Sequence, residues 1–108
     1  MSMIDEVTEA DFQREVLEAS DTVLVKFWAE WCPPCKALNP VLDQLAAEQH
    51  PGFRIVSINS DENPELAARY RVLAIPTMKV FRGGEAVRTV VGAKPPAALK
   101  AELAEFLA

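Results

Sequence analysis

Val23-Leu24-Val25-Lys26-Phe27-Trp28-Ala29-Glu30-Trp31-Cys32-Pro33-Pro34-Cys35 carries an apolar run straight into the only two cysteines of the chain. From Thr22 to Ala29 a run rich in β-branched and aromatic residues lacks clean polar alternation, the pattern of a central strand covered on both faces in a parallel sheet. A strand that feeds Cys-x-x-Cys into a helix leaves the first sulfur beside N–H groups that have no intrahelical partner. Their partial positive charge favours thiolate over thiol. Two thiols at this spacing can also close on one another, so the pair points to dithiol redox chemistry.

Working outward, Thr8-Glu9-Ala10-Asp11 resembles a capping signal, and Phe12, Val16 and Leu17 fit one face of a short helix that ends at Ser20-Asp21. Downstream of the cysteines, Leu38, Val41, Leu42 and Leu45 recur at helical spacing until Pro51-Gly52 stops the pattern. Pro40 falls inside this helix, which predicts a kink where the bond to the Lys36 carbonyl is lost. Phe53 to Ile58 reads as another strand, and Asn63-Pro64 as the N-cap and first position of a helix through Tyr70. Thr77–Phe81 and Ala86–Val91 flank Arg82-Gly83-Gly84-Glu85, a hairpin signal that makes these strands antiparallel. Leu99, Leu103, Phe106 and Leu107 form the apolar stripe of a last helix.

The 108 residues suit one domain, residues 1–108, and a chain of this size buries roughly 60–70% of its unfolded surface on folding. Eleven Lys and Arg against 16 Asp and Glu leave a net charge of −5, which disfavours a phosphate backbone, so nucleic acid is not expected as a partner. Met1-Ser2-Met3-Ile4-Asp5-Glu6 has neither a basic segment nor an apolar one of the leader type. No stretch approaches the roughly 20 apolar residues that span a bilayer. The reading is a cytoplasmic protein with no membrane partner, and in that reducing compartment a cysteine pair is catalytic rather than a structural staple. A half zinc site is the competing use of the pair. Tetrahedral zinc wants four ligands, and only the two cysteines and His50 offer soft donors, so no metal is expected.

Phe27-Trp28-Ala29-Glu30-Trp31-Cys32 with Pro34-Cys35-Lys36 resembles the active-site segment of the thioredoxin family. Ile75-Pro76-Thr77, the Gly83-Gly84 hairpin and Val91-Gly92-Ala93 extend the resemblance over essentially the whole chain. It implies an α/β thioredoxin fold, a mixed four- to five-stranded sheet with helices on both faces. Cys32 would be the exposed attacking sulfur and Cys35 the buried resolving one, an order that suits their places on the helix. Pro76 would be a cis-proline that leaves the Ile75 backbone free to pair with an extended substrate. Trp31, Pro33, Pro34, Gly92 and Ala93 would complete the substrate-contacting surface, Gly92 and Ala93 having a plain turn as their alternative role. Trp28 packs either beneath the active-site loop or simply in the core.

The implied activity is reduction of protein disulfides by dithiol–disulfide exchange, with protein substrates as partners. Recycling would come from a thioredoxin reductase drawing on NADPH through its own flavin, so this chain, expected as a monomer, needs no bound cofactor. Within the fold the alternative is a disulfide oxidase or isomerase, separated by redox potential. Outside that chemistry it is a redox-inert binding module, whose function would survive serine at both cysteines.

Four positions depart from the family pattern, the least of them Pro95, where many relatives cap the last helix with serine. Lys26 stands where most relatives have a buried aspartate that serves the resolving cysteine, and Ser57 where a lysine commonly neighbours it. A charged Lys26 favours the Cys35 thiolate, a desolvated neutral one can accept its proton, and the alternative is that the ammonium snorkels to water. Pro33 replaces the usual glycine, which stiffens the turn and removes one potential donor to Cys32.

Overall fold

The computed structural model describes residues 4–107; residues 1–3, part of the start read as carrying no leader, and residue 108 lie outside the described residues. In chain order the elements are β1 (Asp5–Glu6), a π turn (Gln13–Leu17), β2 (Thr22–Trp28), α1 (Pro33–Ala47), β3 (Phe53–Asn59), α2 (Pro64–Arg69), β4 (Thr77–Arg82), β5 (Glu85–Val91) and α3 (Pro96–Leu107). The strands make one mixed sheet in the order β1-β3-β2-β4-β5. β1, β3 and β2 run parallel, while β4 is antiparallel to β2 and β5 to β4. This is the α/β fold expected from the sequence, with β2 at its centre.

Strand periodicity explains the two-sided core. Along β2, Val23, Val25 and Phe27 point to one face, where they pack with Phe12, Val16, Val56, Ile58, Leu66 and Phe81. Leu24 points to the other, packed with Leu38, Leu42 and Leu45 of α1 and Leu99, Leu103 and Phe106 of α3. Alternate side chains therefore enter different cores, and a strand buried twice has no polar face to show. Lys26 is the exception; by parity it shares the α1 face with Leu24.

Arg82 and Glu85 pair across Gly83 and Gly84, which have φ of 60° and 83°. That is the two-residue turn the glycine pair announced. Pro40 stands inside α1, and the helix continues through it to Ala47.

Three local expectations are corrected. The first helix is a single π turn, closed by the Glu18 N–H donating to the Gln13 carbonyl at 2.9 Å. Here the capping signal works backwards. Asp11 Oδ1 accepts from the Thr8 N–H at 2.7 Å and from the Thr8 hydroxyl at 3.1 Å, which also holds the Asp11 carboxyl below its ordinary pKa. The second correction is β1, absent from the sequence reading because two residues carry no period; Asp5 and Glu6 align with Val56 and Ser57.

Third, Asn63 occupies the N-cap position of α2, but its side chain makes no capping bond. It is buried instead between the N-terminal segment and β3, accepting from the Glu9 N–H at 2.9 Å and donating to the Asn59 carbonyl at 3.0 Å. The first turn of α2 is served by Glu9, whose Oε2 accepts from the Glu65 N–H at 2.9 Å. Asn63→Ala therefore unpairs the Glu9 N–H, 54 residues away, while the Asn59 carbonyl keeps its 3.0 Å bond from the backbone N–H of the same position. It should cost about 1–3 kcal/mol in urea denaturation, the scale of a polar group left unsatisfied.

Candidate active site

The end of β2 delivers the site. After Trp28 the chain turns through Ala29, whose carbonyl accepts from the Cys32 N–H at 3.2 Å, and Cys32 becomes the N-cap of α1. Pro33 and Pro34 fill the first helical positions, so the first amide able to donate is that of Cys35. It reaches the Cys32 Sγ at 3.2 Å and the Cys32 carbonyl at 3.1 Å, and the Lys36 amide reaches the same carbonyl at 3.3 Å. Proline is tolerated here because these early N–H groups have no partner within a helix. The consequence is that one amide, that of Cys35, carries the contact between helix and sulfur.

Cys32 and Cys35 are joined in a disulfide, with Cα atoms 5.3 Å apart. The bond encloses two intervening residues and needs no third participant, so the pair can store two electrons as dithiol and release them as disulfide.

The expectation of an exposed outer sulfur is corrected for this bridged state, in which Cys32 is only 2% exposed and Cys35 1%. The reason is packing: both lie in a small cluster with Ala29, bordered by Trp28 and Ile75. Ile75 precedes Pro76 through a cis peptide bond. Gly92 lies beside it, its N–H donating to the Pro76 carbonyl at 2.8 Å, with φ of 91° and nothing within 4 Å of where a Cβ would stand. Glycine is thus required there by the backbone angle, and the space above it is open. Ala93, Pro33 and Pro34 are exposed near the same end of the sheet.

Trp31 is 67% exposed and fixed by its indole N–H, which donates to Asp61 Oδ2 at 2.8 Å. Together with Ser60, Asp61, Val72, Leu73, Ala74 and Ile75 it lines a cleft of about 280 Å³, and Leu73 at its rim is 95% exposed. Sequence reading did not find Asp61. The available signal was the polar run Asn59-Ser60-Asp61-Glu62-Asn63 after β3, which begins at the same sheet end as the cysteines. Asn59 sets that loop, its Oδ1 accepting from the Asp61 and Glu62 amides at 3.0 and 3.1 Å.

A second cavity, of about 270 Å³, opens on the α1 face and is lined by Ile4, Glu6, Lys26, Trp28, Asn39, Asp43 and Ser57. Lys26 is 5% exposed and lies opposite Ser57 on β3, as the paired departures at these positions require. Its ammonium donates to Asn39 Oδ1, one helical turn beyond Cys35, and stands 5.7 Å from the Trp28 ring centroid. Desolvation lowers its pKa below the ordinary lysine value, with Glu6 and Asp43 pulling the other way. Trp28 borders both sides of this arrangement, touching the cysteine cluster and donating its indole N–H to Glu6 Oε1 at 2.8 Å. Among the described residues no group of three or more His, Cys, Asp and Glu is placed to hold a metal ion, and no helix is long and apolar enough to cross a membrane.

The sequence matches the family model described as Thioredoxin over residues 3–105. It is 45% identical over 107 residues to Thioredoxin 1 of Synechococcus elongatus, covering 99% of this chain and 100% of that protein. It is 49% identical over 98 residues to a thioredoxin of Streptomyces clavuligerus, covering 90% of each. A third relative, 46% identical over 102 residues, is the bifunctional thioredoxin reductase/thioredoxin of Mycobacterium leprae; the match spans 94% of this chain and 22% of that longer protein. A cysteine pair that closes at the head of a helix, on a sheet of this order and with relatives of this likeness, makes the chain a thiol–disulfide oxidoreductase: it belongs to the thioredoxin family.

Proposed function

We propose that this chain works as a single thioredoxin domain, residues 1–108, and a cytoplasmic electron carrier that reduces protein disulfides. Cys32 is the nucleophile and Cys35 the resolving thiol. The Cys32 thiolate attacks one sulfur of a substrate disulfide; a mixed disulfide forms and the other substrate sulfur leaves as thiolate. Cys35, as thiolate, then attacks the Cys32 sulfur, expelling the second substrate thiolate and closing the Cys32–Cys35 bridge. Two protons restore the substrate thiols, and the dithiol has become disulfide. The observation that carries this reading is the Cys35 amide directed at the Cys32 Sγ, a donor that stabilises negative charge on that sulfur alone.

Trp31, Pro33, Pro34, Ile75, Pro76, Gly92 and Ala93 form the contact surface for the substrate chain. The exposed indole and the open space over Gly92 support that role. A thioredoxin reductase that takes electrons from NADPH returns the pair to the dithiol, a partnership supported by the relative in which the two are fused. The chain acts as a monomer. In a coupled assay with NADPH, thioredoxin reductase and insulin, Cys32→Ser should abolish turnover, a loss on the order of a thousandfold or more. Cys35→Ser should instead accumulate the mixed disulfide, visible on non-reducing gels.

Lys26 acts on Cys35 electrostatically. Lys26 faces α1, the helix that carries Cys35, and the ammonium is tied to that helix through Asn39, four residues after Cys35. A positive charge in this cavity favours the Cys35 thiolate. Lys26→Ala should therefore move the rising limb of the pH profile of substrate reduction to higher pH by roughly half a unit to one unit; an unchanged profile would sink the role.

Stability offers an independent check, with the sign fixed by linkage. The folded pKa of Lys26 lies below the ordinary value of 10.5. Between the two, the unfolded chain binds more protons, so folding gains stability as pH rises through that window. Relative to Lys26→Ala, the unaltered protein should gain stability between neutral pH and pH ~10 in urea titrations.

A further inference from the structure

The cavity around Lys26 holds a group that the redox cycle above does not use. Glu6 lies on β1, at the far edge of the sheet, yet its carboxylate is turned back over β3 and β2. Oε2 accepts from the Ser57 hydroxyl at 2.7 Å and Oε1 from the Trp28 indole N–H at 2.8 Å. Ser57 is the residue paired with Lys26 across the β2–β3 ladder, and Trp28 is two residues along the same face of β2. Both oxygens are thus spent on two side chains that flank the lysine, fixing an anion in the lining of the cavity that the lysine shares.

An ammonium buried to this degree needs either a counter-charge or the loss of its proton. Every element packed around it contributes a group. α1 presents Asn39, which accepts from the ammonium, and Asp43, an exposed carboxylate lining the same cavity. β3 presents the Ser57 hydroxyl, β2 the Trp28 ring and β4 the apolar Met78 opposite Lys26. Both carboxylates belong to exposed residues; that of Glu6 is anchored on two side chains that flank the lysine, and its attraction is the stronger of the two.

We propose that Glu6 is a positioning residue: the counter-charge, set in place by Ser57 and Trp28, that keeps the Lys26 ammonium protonated on the cysteine-bearing face. Ser57 then has a reason to be a small donor, since a lysine there would compete for the carboxylate. β1, only two residues long, has a purpose besides sheet extension. It carries the acid that a lysine in the middle of the sheet requires. The consequence for turnover rests on the Lys26 reading given above, whereas the charge pairing itself does not.

The test follows the ¹³Cε resonances of lysine in the disulfide-bridged full chain, where neither cysteine titrates and no effect on Cys35 enters. The Lys26 signal is the one absent from Lys26→Ala. In Glu6→Gln, which keeps size and hydrogen-bonding capacity, the Lys26 midpoint should fall by roughly half a unit to one unit. A midpoint that stays put overturns the proposal. So does one that rises, since loosening of β1 would wet the ammonium and move it upward. Should Glu6→Gln not fold, Ser57→Ala leaves the carboxylate one anchor short, and its midpoint must also fall. If the midpoint falls while the pH profile of Lys26→Ala matches that of the unaltered protein, the pairing stands and the Cys35 role alone is lost.

Discussion

One amide holds the chemistry together. With prolines at the first two positions of α1, the Cys35 N–H is the earliest donor the helix possesses, and it is directed at the Cys32 sulfur. A helix N-terminus stabilises an anion through unpaired N–H groups in its first turn. Replacing one of those residues by proline withdraws its donor while fixing the backbone angle the turn needs. The site trades number of donors for rigidity. Everything else in the fold bears on keeping that amide and that sulfur in register, beginning with the strand that ends four residues before Cys32.

β2 can do so because it is held on four sides. β3 pairs with it in parallel and β4 antiparallel over almost its whole length. Its two faces enter separate apolar clusters, one under α1 and α3, the other under the π turn and α2. Burial of this kind, at about 25 cal/mol per Å² of apolar surface, leaves the strand little freedom to slide. A one-residue slip would also send Lys26 into the wholly apolar face. The placement of one charged side chain therefore works with the hydrophobic pattern to fix the register that positions the cysteines.

The two cavities flanking the cysteine cluster differ in character, and Trp28 and Ile75 mark the boundary. On one side an exposed tryptophan, pinned by Asp61, overlooks a cleft rimmed by the bare side chain of Leu73. That is a surface for apolar contact with another chain. On the other side lies a charged chamber in which Lys26, Glu6 and Asp43 face one another around Ser57 and Asn39. One side suits recognition, while the other sets the electrostatic surroundings of the helix that bears the resolving thiol.

Much of this could be read along the chain. The apolar run, the cysteine spacing, the helical stripes and the glycine pair are local patterns with local causes, and they determined the fold class, the central strand, the hairpin and the redox pair. Lys26 and Ser57 could be matched as a pair because parallel strands align residues by a register that the family resemblance supplied. What the tertiary structure decided lay in contacts between segments too short or too distant to have a period. β1 has two residues, Asn63 spends its side chain on Glu9 rather than on its own helix, and Asp61 reaches Trp31 across 30 positions. Burial of Cys32 in the bridged state likewise depends on Trp28 from the end of β2 and Ile75 from the bend before β4 coming together. Periodicity records which face of an element is apolar; which polar groups meet across the gaps is set only when the elements are packed, because a hydrogen bond is short and directional and leaves no repeating mark in the sequence.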